Sequence, residues 1–324
     1  MSSAMPSINP VVGFARRKAT AARYIARQEF HRLCRKNDFA WRYIANLNSW
    51  FEFQKHRAPL SALQQRVLTD LVKNGISQTS IEEFFGDGAL FIELQRAVEK
   101  REAELGGAIA NRRFQTSQGD AIKSYLISLF DRKHTYQPND IFIRIASDSQ
   151  IVALANAYFG MFTKLCYCNV WHNFPMCGEP RESQLWHRDP EDRYILKLFV
   201  YLTDVDERSG PTYYAPGTHA KGPIKKIPEA TLRKEGSAYN LRSDDAQMAK
   251  VVPVQQWIRA LGPKGTMLFI DTSGFHKGGF VRDNDRILYN CMFNSSATSY
   301  PASLRPKLSS IPKLGRAESY LLGD

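Results

Sequence analysis

The second half of this 324-residue chain consists of short apolar segments separated by turns that contain glycine and proline. Such turns include Ser209-Gly210-Pro211 and Ala215-Pro216-Gly217, and no long helical pattern lies between the apolar segments. Short strands with this punctuation favour an antiparallel sandwich or barrel over alternating strands and helices. The segments that we predict as strands are Thr163–Phe174, Tyr194–Thr203, Gly265–Asp271 and Asp285–Ser296.

The first half, from about residue 14 to residue 158, has apolar residues at helical spacing. Pro59-Leu60-Ser61 is expected to open one helix, and Gly75 to end it. Another predicted helix, Asp87–Leu105, is expected to end at Gly106-Gly107. The pattern as a whole predicts a mainly β protein with a helical N-terminal half. The remaining predicted helices are Phe39–His56, Ser117–Phe130 and Asp148–Tyr158.

The formal charge of +12 is concentrated near the N-terminus. Residues 1–57 contain 11 Lys and Arg against three acidic residues, which gives this segment a charge of +8. A segment of this kind is either a solvated helical face or a contact surface for an anionic membrane, an acidic partner protein or a polyanionic substrate. Its Arg-rich start also has the composition of a mitochondrial transit peptide. Nucleic acid is not an expected partner, because no recognition motif accompanies the charge.

The residues with metal-binding chemistry lie in the strand-rich half. His187 and Asp189 are separated by one residue, so both side chains point to the same face of an extended strand. His276 follows a strong predicted strand and a Ser-Gly turn, and it supplies a third ligand. Two imidazoles and one carboxylate on one face of an octahedral metal leave three positions open, as in non-haem Fe(II) oxygenases. Zn²⁺ accepts the same ligands, so a Zn-dependent hydrolase is the alternative.

Arg286 adds an anion-binding group to this predicted site. It lies ten residues after His276 and opens the last predicted strand. A guanidinium fixed there can pair in a bidentate way with a dicarboxylate. Since this arginine has no role in a Zn hydrolase, its presence favours the oxygenase.

At these residues the sequence resembles the phytanoyl-CoA dioxygenase family of Fe(II)- and 2-oxoglutarate-dependent oxygenases, in particular its bacterial members. The similarity covers about residues 160–300. The matching segments are Gln184–Asp189, Lys197–Val205, Ser209–Pro211, Pro216–His219, Asp271–Gly279 and Asp285-Arg286.

The resemblance implies a double-stranded β-helix, a jelly-roll barrel with iron at its open end and α-helices at its flanks. It implies His187, Asp189 and His276 as the ligands of Fe²⁺, with 2-oxoglutarate and O2 as co-substrates. Arg286 is the implied partner of the distal carboxylate of 2-oxoglutarate, and Arg282 competes for that role. No catalytic residue is expected beyond the metal centre.

Two further contacts with the co-substrate are predicted on the basis of the same family resemblance. Lys197 is the polar member of an apolar strand, and a buried lysine needs a partner, so we expect it to contact the 2-oxoglutarate carboxylate. Asn169 lies on the strand before the His-x-Asp segment and is expected to form a hydrogen bond with the co-substrate.

The predicted organisation is a basic helical extension, residues 1–57, followed by an oxygenase domain, residues 58–324. Residues 58–158 form its helical support and about residues 160–300 its barrel core. The predicted reaction is hydroxylation of an aliphatic carbon of an anionic substrate, either a small molecule or a chain linked to a carrier. Some family members lack the carboxylate ligand and bind halide in its place, so Asp189 favours hydroxylation over halogenation. A metal-binding jelly roll without oxygenase activity is a further alternative.

Five cysteines at irregular spacing favour a reducing compartment over a disulfide framework. The expected location is therefore cytoplasmic, with peripheral membrane contact through residues 1–57 as a variant.

Overall fold

The computed structural model describes residues 22, 25–117, 125–131, 134–137, 139–232, 234, 235, 238, 239, 242–300 and 315–323. The α-helices are α1 (25–34), α2 (Asp38–Ala40), α3 (Leu47–Lys55), α4 (Ala62–Asn74), α5 (Ile81–Phe85), α6 (Ala89–Glu104), α7 (Gly106–Ser117), α8 (Ile141–Ala146), α9 (Ser149–Phe159), α10 (Asp245–Ala249) and α11 (Arg316–Leu322). The strands are β1 (Ile76–Ser80), β2 (Leu126–Ser128), β3 (Lys164–Asn173), β4 (Leu196–Tyr201), β5 (Thr212–Tyr214), β6 (Lys234–Glu235), β7 (Ala238–Tyr239), β8 (Ile258–Ala260), β9 (Thr266–Asp271), β10 (His276–Gly278) and β11 (Arg286–Asn294).

Two antiparallel sheets, built mainly from the second half of the chain, face each other. The larger sheet has the strand order β1-β9-β4-β11-β3-β2, and the smaller one has the order β10-β5-β8. An apolar cluster between them joins Phe199 and Leu288 of the larger sheet to Tyr214 and Ala260 of the smaller one. The four strands predicted from the sequence are present as β3, β4, β9 and β11.

The main hydrophobic core lies on the outer face of the larger sheet. Alternate residues of the central strands point outward and pack against α4, α6, α8 and α9, because successive side chains of a strand lie on opposite faces. This packing leaves the inner face of the larger sheet to line the space between the sheets. Outward residues of the core include Val170, Leu198, Phe269, Tyr289 and Phe293.

Helix α4 begins and ends where the sequence predicts. The Ser61 side chain accepts from the Gln64 N–H, and the Gln64 side chain accepts from the Ser61 N–H, which completes a capping box. Gly75 ends the helix with φ +85°, a left-handed conformation that favours glycine. A Cβ at this position would lie 2.2 Å from the Tyr214 hydroxyl oxygen, so the helix end is also packed against the smaller sheet.

One prediction for the helical half is wrong. Residues 126–128 of the predicted helix Ser117–Phe130 form strand β2, which pairs with the edge of β3, while residues 118–124 lie outside the described part. A short apolar run has no periodicity that separates strand from helix, and the open edge of β3 decides the outcome. The predicted helix Asp87–Leu105 is present as α6, Ala89–Glu104, and the next helix, α7, starts at Gly106.

The basic N-terminal segment is described only in part, and residues 1–21 lie outside the described range. Contact with the body is present from Arg35, which donates to the Glu191 carbonyl oxygen, and Trp41 is fully buried in the main core. The division at residue 57 therefore stays a prediction. None of the helices in the described ranges has both the length and the apolar character needed to cross a membrane.

Candidate metal centre

Backbone hydrogen bonds bring the three predicted ligands together at one end of the space between the sheets. The His187 N–H donates to the His276 carbonyl and the His276 N–H donates to the His187 carbonyl, both at 3.0 Å. The Asp189 N–H donates to the Thr272 carbonyl at 2.9 Å. These hydrogen bonds hold the His-x-Asp segment in an extended conformation against the turn between β9 and β10. This pairing joins residues that are almost ninety positions apart in the sequence.

The ligand atoms of His187, Asp189 and His276 all lie within 4.8 Å of one another. His187 Nε2 is 3.9 Å from Asp189 Oδ1, and His276 Nε2 is 3.9 Å from Asp189 Oδ2. These distances suit three donors that share one cation. The chemistry of the set, two imidazoles and one carboxylate, fits Fe(II) with open positions.

Both imidazoles are oriented by their second nitrogen. His187 Nδ1 lies 2.8 Å from the Leu185 carbonyl oxygen, and His276 Nδ1 lies 3.0 Å from the Gly274 carbonyl oxygen. A carbonyl oxygen only accepts, so each Nδ1 carries the proton and each Nε2 keeps its lone pair free for a metal. Burial and the neighbouring His276 lower the pKa of His187 to about 3, which keeps this ligand neutral at physiological pH.

Lys197 sets the charge of the carboxylate ligand. Its Nζ donates to Asp189 Oδ2 at 2.6 Å. Burial alone raises the pKa of Asp189, but the ammonium of Lys197 and the two imidazoles outweigh burial, so the pKa lies well below its ordinary value. The predicted contact between Lys197 and 2-oxoglutarate stays a prediction. One of the three ammonium N–H groups is used by the iron ligand itself.

A cavity of about 980 Å³ opens from the three ligands between the two sheets. Its volume is at the upper end of the range found for small-molecule sites. Its wall includes inward residues of β3, β4 and β11 and the segment that follows β2. The ligands thus lie in a chamber that has room for a co-substrate and a substrate.

Arg286 lies in the wall of this chamber. It opens β11, as predicted, and only 5% of its surface is exposed. Its Nε and Nη1 are buried and have no hydrogen-bond partner in the described structure. Burial lowers the pKa of the guanidinium, although Tyr201 and Tyr125 act in the opposite direction. A buried cation without a partner is costly, so the site is suited to an anion.

The competing arginine, Arg282, is placed differently. It is exposed, and its guanidinium lies 5.5 Å from the centroid of the Phe280 ring. Arg282 is also absent from the wall of the chamber. Of the two arginines, only Arg286 faces the cavity that holds the three ligands.

Asn169 lies in the cavity wall, but its amide is already engaged. Its Nδ2 donates to the Phe130 carbonyl at 2.9 Å, and its Oδ1 accepts from the Phe130 N–H at 3.3 Å. The side chain therefore holds the segment after β2 against β3. Its contact with the co-substrate stays a prediction.

Sequence reasoning missed Glu191, which lies two residues after Asp189 and lines the same cavity. It also missed Thr212, a buried β5 residue in the cavity wall. Neither residue belongs to a spacing pattern that marks it. Only the fold shows that their side chains reach the chamber.

Three of the solved structures that are similar to this chain illustrate the range of the matches. The structure titled EctD from S. alaskensis with bound Fe is 16% identical, has a TM-score of 0.51, and the match covers 75% of this chain and 80% of that chain. The non-haem α-ketoglutarate-dependent epimerase SnoN from nogalamycin biosynthesis is 17% identical with a TM-score of 0.45, and the match covers 78% and 91%. HygX from Streptomyces hygroscopicus, with nickel and 2-oxoglutarate bound, is 16% identical with a TM-score of 0.44, and the match covers 74% and 88%. No curated protein matches this chain.

The likeness to EctD shows the fold, and it confirms the predicted cupin-like jelly roll with flanking helices. A family match adds the assignment. Residues 111–286, more than half of the chain, match the family described as Phytanoyl-CoA dioxygenase (PhyH). The matched region contains the three clustered ligands and ends at Arg286. The chain therefore belongs to the phytanoyl-CoA dioxygenase family and is a non-haem iron oxygenase that uses 2-oxoglutarate and O2.

Proposed function

We propose that this enzyme hydroxylates an aliphatic carbon of a small-molecule substrate, with release of succinate and CO2. In this proposal His187, Asp189 and His276 hold the Fe(II), and Arg286 binds the distal carboxylate of 2-oxoglutarate. The observation that carries it is the presence of the three-ligand cluster and a buried, unpaired arginine in one chamber. Asp189 fills the third ligand position, which favours hydroxylation over halide transfer.

The protein's part in this reaction is to hold and orient. The carbonyls of Leu185 and Gly274 fix the two imidazoles with Nε2 toward the metal. Lys197 keeps Asp189 ionised, so the third ligand needs no deprotonation before it binds. When bound, iron and 2-oxoglutarate together supply the oxidising chemistry from O2.

Several finer expectations stay predictions. The basic surplus that suggested an anionic substrate lies in residues 1–57. Two cations of the chamber have internal partners: Lys197 pairs with Asp189, and Arg242 pairs with Glu182 at 2.9 Å. A carrier-linked substrate and contact with a membrane or an acidic partner rest on the sequence alone.

The test is an anaerobic titration of the metal-free protein with Fe(II) and 2-oxoglutarate. The readout is the weak visible band that a chelated 2-oxo acid gives on Fe(II). Arg286→Gln is expected to weaken 2-oxoglutarate binding about 10- to 100-fold, because charged hydrogen bonds of this type are worth about 1.5–3 kcal/mol. Arg282→Gln is the matched control and is expected to leave the titration unchanged. Asp189→Ala is expected to weaken Fe(II) binding.

Two outcomes would contradict the proposal. Equal titrations for the Arg286 and Arg282 variants would remove Arg286 from the 2-oxoglutarate site. No band at all, together with tight binding of Zn²⁺, would favour the hydrolase or the binding module. A hydrolase would also remain active without O2 and 2-oxoglutarate.

A further inference from the structure

Glu191 is a carboxylate of the metal chamber that the proposed function leaves without a role. It lies two residues after the ligand Asp189, and its side chain forms part of the cavity wall. The following inference rests on the proposed function, because it concerns the substrate that the same chamber holds.

The backbone of Glu191 is tightly fixed. Its carbonyl oxygen accepts from the Ser299 N–H at 2.8 Å, from the Ser299 hydroxyl at 2.9 Å and from the Thr298 hydroxyl at 3.1 Å. The Arg35 guanidinium donates to the same carbonyl oxygen. Four donors thus hold the main chain, and the side chain lies in the cavity wall.

The side chain of Glu191 has fewer partners than its backbone, although its own N–H donates to the carboxylate. Its Oε2 is buried and lacks a hydrogen-bond partner among the described residues. The cations nearby are committed elsewhere, since Arg35 binds the carbonyl and Lys197 donates to Asp189. A buried carboxylate that lacks a counter-charge is unfavourable, and it is satisfied when a ligand brings one.

Two aromatic rings also lie in the wall of this chamber. Tyr167 and Tyr300 both line the cavity, with their ring centroids 5.9 Å apart. Tyr300 directly follows Ser299, which binds the Glu191 backbone, so the segment that carries this ring is anchored to the segment that carries Glu191. A carboxylate and aromatic faces in the wall of one cavity are groups that proteins use together to bind organic cations.

A second group of rings covers another part of the wall. The centroids of Phe130, His134 and Tyr136 lie 4.5 to 5.2 Å from one another, and all three residues line the cavity. This wall suits the apolar body of a ligand, whereas the Glu191 corner suits its charged end.

We propose that the substrate carries a positively charged nitrogen, an ammonium or a guanidinium, and that Glu191 binds it. Arg286 and Glu191 then divide the chamber, with the anionic co-substrate at the arginine and the cationic end of the substrate at the glutamate. Glu191 is a specificity-determining residue in this assignment and takes no part in metal binding.

The test uses the full chain loaded anaerobically with Fe(II) and 2-oxoglutarate. The probes are matched trios on several aromatic and aliphatic scaffolds: a primary amine, its N-acetyl amide and the corresponding carboxylic acid. Calorimetry gives the Kd of each probe. We expect at least one amine to bind at least ten-fold more tightly than both of its partners. Glu191→Gln is expected to remove this preference, and the exposed Glu179→Gln to keep it.

The 2-oxoglutarate band of the same samples separates the two proposals. A band in the wild type and in Glu191→Gln, with the amine preference lost only in the variant, supports the inference. A normal band without any amine preference overturns it and leaves the proposed function intact. A preference that survives Glu191→Gln overturns the assignment to this residue. If no band forms in the wild type, the proposed function fails, and the amine preference is then judged by calorimetry alone.

Discussion

Lys197 shows how one buried residue can be used in a way that its sequence position does not reveal. As the polar member of an apolar strand it needs an anionic partner, and the sequence analysis assigned that partner to the co-substrate. In the structure the ammonium donates to Asp189, one of the three proposed metal ligands. Its pKa is raised: burial disfavours the charge, but Asp189 more than compensates. The need for a partner was predictable, but the choice of partner depends on distances that a linear sequence does not contain.

Lys197→Met is expected to weaken Fe(II) binding about 10- to 100-fold, as other changes behind metal ligands do. Without the ammonium, burial dominates and raises the pKa of Asp189, so protons compete with the metal. The loss is therefore expected to be greater at pH 6 than at pH 8. Anaerobic Fe(II) titrations at both pH values measure it. Lys226→Met, at an exposed lysine that donates to the Lys250 carbonyl, is the control. An unchanged Kd at pH 6 would show that Lys197 does not support the ligand.

The proposed metal ligands could be predicted because their positions follow from short-range spacing in the sequence. The i and i+2 positions of an extended segment share a face, which places His187 and Asp189 together without knowledge of the fold. His276 and Arg286 were assigned by their order after a strong strand. Glu191 was not assigned, because an unpaired carboxylate is recognised only when all its neighbours are known.

At the scale of elements, a charged cluster connects the helical half to the strand that carries Arg286. His172 of β3 lies between two carboxylates: its Nδ1 is 2.6 Å from Glu102 of α6 and its Nε2 is 2.5 Å from Asp285. Asp285 directly precedes Arg286, and it also accepts from Arg113 of α7 at 3.0 Å. Burial lowers the pKa of His172, but hydrogen bonds to Asp285 and Glu102 outweigh it, and the net pKa is raised.

This cluster predicts a pH-dependent contribution to stability. A folded-state pKa above the unfolded value of about 6.5 means that the contribution is complete below about pH 6.5 and is lost as the pH rises through the folded pKa. His172→Gln is expected to lower the free energy of unfolding by about 1–3 kcal/mol at pH 5.5 and by less at pH 8.5. The pKa of Asp285 is lowered, so this carboxylate stays charged over that range.

Urea unfolding of wild type and His172→Gln at the two pH values measures this difference. The control is His56→Gln, since His56 lies 3.9 Å from Glu52 with 49% of its side chain exposed. It is expected to show little change at either pH. A His172 effect that is equal at pH 5.5 and pH 8.5 would mean that the charge of His172 does not hold the cluster.

The sequence predicts some helices and strands better than others. The difference depends on whether the signals that define an element lie within it. Helix α4 carries its own start and stop signals in Ser61 and Gly75, and it was predicted with nearly correct ends. Strand β1 was missed, because Ile76–Ser80 is short and polar and its pairing with β9 is a long-range contact. Strand β2 was mistaken for part of a helix because it is short and its pairing with β3 is also a long-range contact. Edge strands depend on a partner elsewhere in the chain.

At the scale of the whole molecule, the N-terminal segment and the barrel share one core. Trp41 is fully buried, and its Nε1 donates to Asp192 Oδ1 at 2.8 Å. Asp192 Oδ2 accepts from the Ser295 N–H at 2.8 Å, which ties the end of β11 to the same carboxylate. Burial raises the pKa of Asp192, while these hydrogen bonds lower it. Asp192 is three residues from the ligand Asp189, so the first described helices are joined to the segment that carries the metal site.

This connection predicts that the chain from Trp41 onward unfolds together with the barrel. Trp41→Phe removes the indole donor and part of a buried ring, and it is expected to cost about 2–4 kcal/mol. The whole unfolding transition is then expected to shift, as measured by circular dichroism and by tryptophan fluorescence in urea. Trp50→Phe, at a partly buried tryptophan of α3, is expected to cost less than about 1 kcal/mol. If Trp41→Phe instead produced two separate transitions, residues 1–57 would unfold as an independent unit, as the sequence-based division at residue 57 implies. A single shifted transition would place the boundary between the N-terminal extension and the oxygenase domain before Trp41. Truncations that test membrane contact should then end before Trp41.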